Sequence, residues 1–167
     1  MFQYSLAMPS GLVINGVRDA LAVALQILES AREEVVWLIP PSIHSLSMTY
    51  GFVEKTRAFI QRGGVVRGIV PMSQANVEEI RISLKSGEDI RHSDEVLELF
   101  MYVGDRQQSV SAINIGIHDF TLDTPTIAFR SDDPTYAEYL LASFENAWAQ
   151  AVPAEKRILE LLEQRPL

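Results

Sequence analysis

The residues able to do chemistry are few and scattered along the chain. Histidine occurs only at positions 44, 92 and 118; serines flank the first in the string PPSIHS (40–45), and Arg91 precedes the second. Ser42 beside His44 has the residue types of a hydroxyl nucleophile and its base. No Gly-x-Ser-x-Gly elbow surrounds a serine, however. The three histidines lack metal-ligand spacing, and with no cysteine there is neither a thiolate metal site nor a disulfide framework. Gly63-Gly64 closes a helical pattern and opens a strand, the reverse of the order that a phosphate-cradling loop needs. No cofactor is therefore expected.

What remains suits binding better than catalysis. Arg91 could hold a carboxylate or phosphate in bidentate fashion, or pair structurally with Glu98 or Asp105. Glu98 lies in an apolar run, where an ionised carboxylate is costly unless partnered. It reads either as a ligand acceptor or as a structural or solvent-facing acid. Asp105 follows Gly104 in a turn, a place where Asp bonds nearby backbone amides. His92 reads as a surface residue. Ser42, His44 and Ser45 follow an apolar run, with Pro71, Met72 and Ser73 in the equivalent position after the next. Ligands of open α/β sheets sit beyond such strand ends.

The elements that must position these groups follow from periodicity. Val17, Leu21, Ala24, Leu25 and Leu28 make a helical stripe over 17–33, with Asn15 as its cap. EVVWLIP (34–40) reads as a strand buried on both faces and stopped by proline, with a loop at 40–45 after it. A helix over 50–64 ends at paired glycines, of which Gly63 or Gly64 is the left-handed cap. VVRGIVPM (65–72) is a second buried strand, and a third helix over 76–86 opens at Asn76 and closes at Gly87. Strands follow at 97–103, 109–115 and 125–131. Asp133-Pro134 then caps a long helix whose stripe runs Ala137, Leu140, Leu141, Phe144 and Trp148. A short helix follows Pro153, with Ile158, Leu161 and Leu162 on one side. This order implies one α/β domain over 1–167, with a mixed, mostly parallel sheet covered by helices on both faces.

Over about residues 17–151 the chain resembles the phospholipase D-like superfamily in its single-half form. More closely, it is similar to the non-catalytic sensor domains of TrmB-like transcription regulators. The strings that carry the resemblance are EEVVWLIPP, FIQRGGVVRGIV, IRHS leading to LFMYVGD, and FENAWAQA. Catalytic members have a His, one residue, a Lys, four residues and an Asp. With Asp105 on the Asp of that motif, Glu98 falls at the nucleophile and Phe100 at the phosphate-binding lysine. Nor do the other histidines restore it, since Leu46, Asp94 and Phe120 stand two residues after them. A carboxylate would repel an anionic diester, and a phenyl ring offers no charge to steady it.

The resemblance implies a regulatory domain without catalysis, acting as a homodimer and binding a small ligand or protein partner around Ser42, His44, Arg91, Glu98 and Asp105. An open polar pocket lined by Ser42, Arg91 and Glu98 would favour sensing. A packed apolar site, with Phe100 as its plug, would favour a dimerisation or scaffold module. A hydrolase of altered mechanism using Glu98, Asp105 or His44 is the third reading. With 14 basic and 22 acidic residues the net charge is −8, and phosphate neutralisation needs clustered Lys and Arg, so direct nucleic-acid binding is not expected. About 16 residues precede the first helix, too few for a winged helix-turn-helix. No apolar run reaches the roughly 18–20 residues of a membrane span, and the N-terminus lacks a basic, apolar leader. The expectation is a soluble, cytoplasmic domain.

Overall fold

A computed structural model describes residues 11–95, 99–113 and 119–164. Strand β1 (Gly11–Asn15) leads into helix α1 (Val17–Ser30), then β2 (Glu34–Leu38), α2 (Pro41–Thr49), α3 (Phe52–Gln61) and β3 (Val65–Ile69). Helix α4 (Val77–Lys85) and strands β4 (Asp89–His92), β5 (Leu99–Gly104), β6 (Gln108–Ile113) and β7 (Ile127–Ser131) follow. Helix α5 (Pro134–Gln150), β8 (Val152–Pro153) and α6 (Ala154–Glu163) complete the described chain. All eight strands form one sheet in the order β1-β7-β6-β5-β2-β3-β4-β8.

The sheet is mixed, but mostly antiparallel rather than mostly parallel. Only β2–β3 and β3–β4 run parallel; the other five neighbouring pairs are antiparallel. The helical crossovers between β2, β3 and β4 impose the parallel part, since parallel strands cannot be joined by a tight turn. Strands β5 to β7 follow one another with no helix between them among the described residues, and return as a meander. Two edge strands, β1 and β8, then extend the sheet antiparallel; β8 has only two residues, and β1, as long as β2, is mostly exposed, so neither makes an apolar run.

Local chemistry explains most boundaries. Asp133 accepts a hydrogen bond from the Thr135 backbone N–H at 2.9 Å, with Pro134 at the first helical position of α5. Gly63, at φ 99, takes the left-handed position after α3. Asn15 does not cap α1: it ends β1, and Gly16 stands at the cap without a side-chain bond. The segment after β2 is helix α2 rather than a loop, because Pro41 is preset for a first helical turn and Pro40 stays extended before it. Its burial pattern is not strongly one-sided, which is why periodicity missed it.

Helices cover both faces, but unequally. The larger core gathers α1, α2, α3, α4 and α6 on one face, from Val17 and Leu21 through Phe59 and Ile80 to Ile158. Helix α5 alone covers the other, where Val36, Leu38, Ile69, Met101 and Val103 meet Ala137, Leu140, Leu141 and Phe144. Alternation along β2 sends Val35 and Trp37 to the first face and Val36 and Leu38 to the second. No helix among the described residues is long and apolar enough to cross a membrane.

Candidate functional site

Between the first face of the sheet and helices α1 to α4 lies a cavity of about 100 Å³. Helix α1 contributes Val17, Leu21 and Ala24; the strands contribute Trp37, Phe100, Tyr102 and Val110; α2 and α3 contribute His44, Met48, Phe52 and Thr56. Register explains the floor, since Trp37 pairs with Tyr102 across β2 and β5 and both side chains leave the sheet on this side. Gly68, paired to Trp37 on the next strand, has the indole lying where a Cβ would stand. That close approach turns the indole N–H toward the end of α4.

One wall is polar. Trp37 Nε1 donates to Glu88 Oε2 at 3.1 Å, and the Ser83 side chain also bonds the Glu88 carboxyl. Glu88 is half-exposed as a residue, yet its carboxyl group points inward. Burial pushes that carboxyl up to about 7, opposed by the bonds from Trp37 and Ser83. His44 Nε2 lies 3.2 Å from Ser83 Oγ, and its ring packs against Trp37 at 5.6 Å between centroids. Burial lowers the imidazole to about 4, although Glu79, 3.8 Å from Nδ1, acts the other way. Burial, and then the nearby Glu88 charge, push the Tyr102 phenol well up.

Ser83, His44 and Glu79 thus stand in the order of a nucleophile, a base and its orienting acid. Their setting opposes that use. Ser83 lies inside α4, so its own N–H is committed to the helical ladder and is not available to an oxyanion. Its hydroxyl is shared with Glu88 and touches Met48 Sδ at 3.8 Å. The Glu79 carboxylate is engaged by Ser45 Oγ at 2.6 Å. The group reads chemically as a buried polar network able to hold a ligand's hydrogen-bonding group.

Of the residues singled out in the sequence, the cavity takes in His44. Ser42 Oγ accepts from the Phe120 N–H at 3.1 Å. This bond seats Phe120 edge-on against Phe100, with 5.4 Å between centroids and 81° between planes. Arg91 lies on the α5 side. Its Nη1 donates to the Trp148 carbonyl at 2.9 Å, and its guanidinium stacks 4.2 Å from the Trp148 ring. Asp105, at the far end of β5, accepts from the backbone N–H groups of Arg32, Glu33 and Glu34 at 2.8, 2.9 and 3.0 Å. Burial would raise its carboxyl, but those bonds and the Arg32 charge together hold it below the usual range. Glu98 and His118 lie outside the described residues. The expected polar pocket of Ser42, Arg91 and Glu98 is therefore not assembled from its described members, because Ser42 and Arg91 serve different faces of the sheet.

His92 is buried rather than on the surface. Its Nδ1 accepts from the Met72 N–H at 2.8 Å, which leaves the proton on Nε2, 3.2 Å from Asp94 Oδ1. Sequence reasoning missed Trp37, Thr56, Ser83, Glu88 and Tyr102. Glu88 sits in SGEDI, which reads as an ordinary turn after a helix. Only the β2–β5 register brings Tyr102 beside Trp37. Among the described residues no group of His, Asp or Glu could hold a metal ion.

Comparison with solved structures gives clear fold neighbours at low identity. TrmBL2, described as an archaeal chromatin protein with a novel mode of DNA binding, superposes with a TM-score of 0.66 at 13% identity over 89% of this chain. The chain spans only 56% of TrmBL2. Nuc from Salmonella typhimurium, a phospholipase D family member, gives 0.62 at 15% identity over 86% of this chain and 97% of its own. NucT from Helicobacter pylori gives 0.64 at 15% identity, again over 86% of this chain and 98% of its own. No protein-family model and no curated protein sequence matches the chain.

Proposed function

Starting from a phospholipase D-like fold, we propose that this chain is a non-enzymatic regulatory domain that binds a small ligand in the cavity under α1 to α4. One observation carries the proposal. Phe100, where the phospholipase D motif would place its lysine, is buried against Phe120, while a hollow with a polar wall persists beside it. An empty cavity of this volume costs on the order of 2 kcal/mol. A domain whose sole task is to be a rigid support has no use for that loss, whereas a binding domain recovers it when occupied. The Phe100–Phe120 contact also supports the second reading, a dimerisation or scaffold module with a filled cleft.

The test separates these readings. Purified protein is screened by thermal shift against sugars, nucleotides, phosphorylated metabolites and neutral ring compounds, and assayed with bis-p-nitrophenyl phosphate. The sensor reading expects a ligand at about a hundred times its dissociation constant to stabilise by about 2.7 kcal/mol, with no diester turnover. Absence of any stabilising compound favours the scaffold; turnover lost on His44→Gln would return the chain to the hydrolases.

The partner in this proposal is a second copy. Val13, Ile113 and Ile127 are 60%, 70% and 70% exposed. Alternation puts them on the α5 side of β1, β6 and β7, beyond the helix. An apolar sheet face of this kind marks an interaction surface, and closed two-fold pairing is the commonest geometry. Sedimentation should report a dimer, and Ile113→Asp a monomer with an unchanged circular dichroism spectrum. TrmBL2 binds DNA, but a net charge of −8 gives this domain little with which to neutralise phosphates. We assign DNA contact no part in its action.

A further inference from the structure

Resting on the reading of the cavity as a ligand site, we propose that its occupant is an uncharged, ring-sized apolar molecule carrying one hydroxyl or amide group. Size comes first. A dry cavity of about 150 Å³ is known to take benzene, and the space here is about 100 Å³. That fits a single ring after small side-chain adjustments, and excludes a nucleotide or disaccharide.

Charge comes second. No Lys or Arg lines the cavity among the described residues, and its ionisable side chains are His44, Glu88 and the Tyr102 phenol, which burial keeps neutral. Glu88 is engaged by Trp37 and Ser83, and His44 by Ser83 through Nε2, while its Nδ1, 3.8 Å from Glu79, makes no hydrogen bond. A carboxylate or phosphate would enter without a countercharge, which costs several kcal/mol. An ammonium group would have to compete for a carboxyl already bonded by its neighbours.

The third observation is independent of the first two. Tyr102 and Thr56 line the cavity and are 7% and 4% exposed. Their hydroxyls make no hydrogen bond among the described residues. A hydroxyl that lines an apolar hollow without a protein partner is a group that a ligand can satisfy. They come from neighbouring elements: the Tyr102 ring on the sheet meets Phe52 of α3 edge-on at 6.0 Å, and Thr56 stands one turn after Phe52 on α3. A hydroxyl or amide can donate to one and accept from the other. A bare hydrocarbon can do neither.

The test is a calorimetric titration with phenol, benzyl alcohol, toluene, benzoate, phenyl phosphate and phenethylamine, read beside thermal shift. Phenol or benzyl alcohol should bind about tenfold more tightly than toluene, the factor expected for one net hydrogen bond. The three charged compounds should not bind. Tyr102→Phe and Thr56→Val keep the side-chain shape; each should weaken the alcohols severalfold and leave toluene unchanged. Equal binding of phenol and toluene would overturn the role of the hydroxyls. Tighter binding of a charged compound would overturn the ligand class while leaving the cavity a ligand site. No binding by any of these or by the wider metabolite screen would remove both.

Discussion

Beneath α5 the sheet presents Val36, Leu38, Ile69, Met101 and Val103 to Ala137, Leu140, Leu141 and Phe144, every one of them buried. Register also puts Ser109, Ser111 and Ser131 on this face, all buried, with Ser111 bonded to Tyr136 and Ser109 Oγ without a partner. Arg67 bridges Glu34 and Glu145 at 2.9 and 2.6 Å and lies over the Phe144 and Trp148 rings. Beneath α1 to α4 the same strands face His44, Thr56, Ser83 and Tyr102, all at least nine-tenths buried, around a hollow. One face has spent its side chains on contact. The other has left a hollow and set His44 and the Glu88 carboxyl beside it, an arrangement that lowers stability unless something occupies the space. The difference teaches where to look for function in a domain whose fold neighbours include a phospholipase D family member.

The sharpest way to break this contrast is a pair of truncations. Phe144 is fully buried against the α5 face, so Phe144→Ala should cost about 3–5 kcal/mol in urea unfolding. Phe52 is also buried, but one side of its ring lines the cavity. Phe52→Ala should therefore cost about 1–2 kcal/mol less, since contacts already missing cannot be lost. Equal losses would mean that the two faces are packed alike.

A smaller effect tests what holds the faces together. Asp105 ties the β5–β6 turn to the start of β2 through three backbone N–H groups. It adopts a left-handed conformation at φ 50 to do so, which Asp tolerates better than most residues. Asp105→Ala should cost about 1.5–3 kcal/mol, measured by urea unfolding at pH 7. The folded carboxyl sits below its ordinary range. Its contribution is therefore complete above the unfolded value and is lost as pH falls through the folded one. The gap between wild type and Asp105→Ala should close in acid. A gap that persists there would assign the loss to the backbone conformation.

Much of this fold was legible because helices and central strands advertise themselves through burial. The α5 stripe, the paired glycines after α3 and the Asp133-Pro134 cap are local signals with local causes. Strand direction was not legible: β1 is a mostly exposed edge strand, β8 has two residues, and register is a property of pairs. The candidate site suffered for the same reason. Arg91, near the residues aligned with the phospholipase D motif, is turned to the opposite face by strand alternation, where Trp148 receives it. Glu88 and Tyr102 join Trp37 only through pairing and crossover, which a single sequence does not display.

The finest test of the contrast concerns two neutral groups on the hollow face. In the folded chain Glu88 keeps its proton to about 7 and His44 stays unprotonated down to about 4, against ordinary values of 4.5 and 6.5. For Glu88 the folded value is raised, so its contribution is full below 4.5 and fades as pH rises toward 7. For His44 the folded value is lowered, so its contribution is full above 6.5 and fades as pH falls toward 4. Between 4.5 and 6.5 the unfolded chain has a carboxylate and an imidazolium where the folded chain has two neutral groups. The number of bound protons is the same, and the pair together adds almost no slope. Glu88→Gln should uncover the histidine, giving stability that rises with pH across that window relative to wild type. His44→Gln should uncover the carboxyl, giving stability that falls. Each change should amount to about 1–3 kcal/mol across the window, followed by urea unfolding at half-unit steps of pH. If both variants keep the wild-type slope, water reaches these groups freely, and the hollow face is not the desolvated chamber on which a neutral ligand depends.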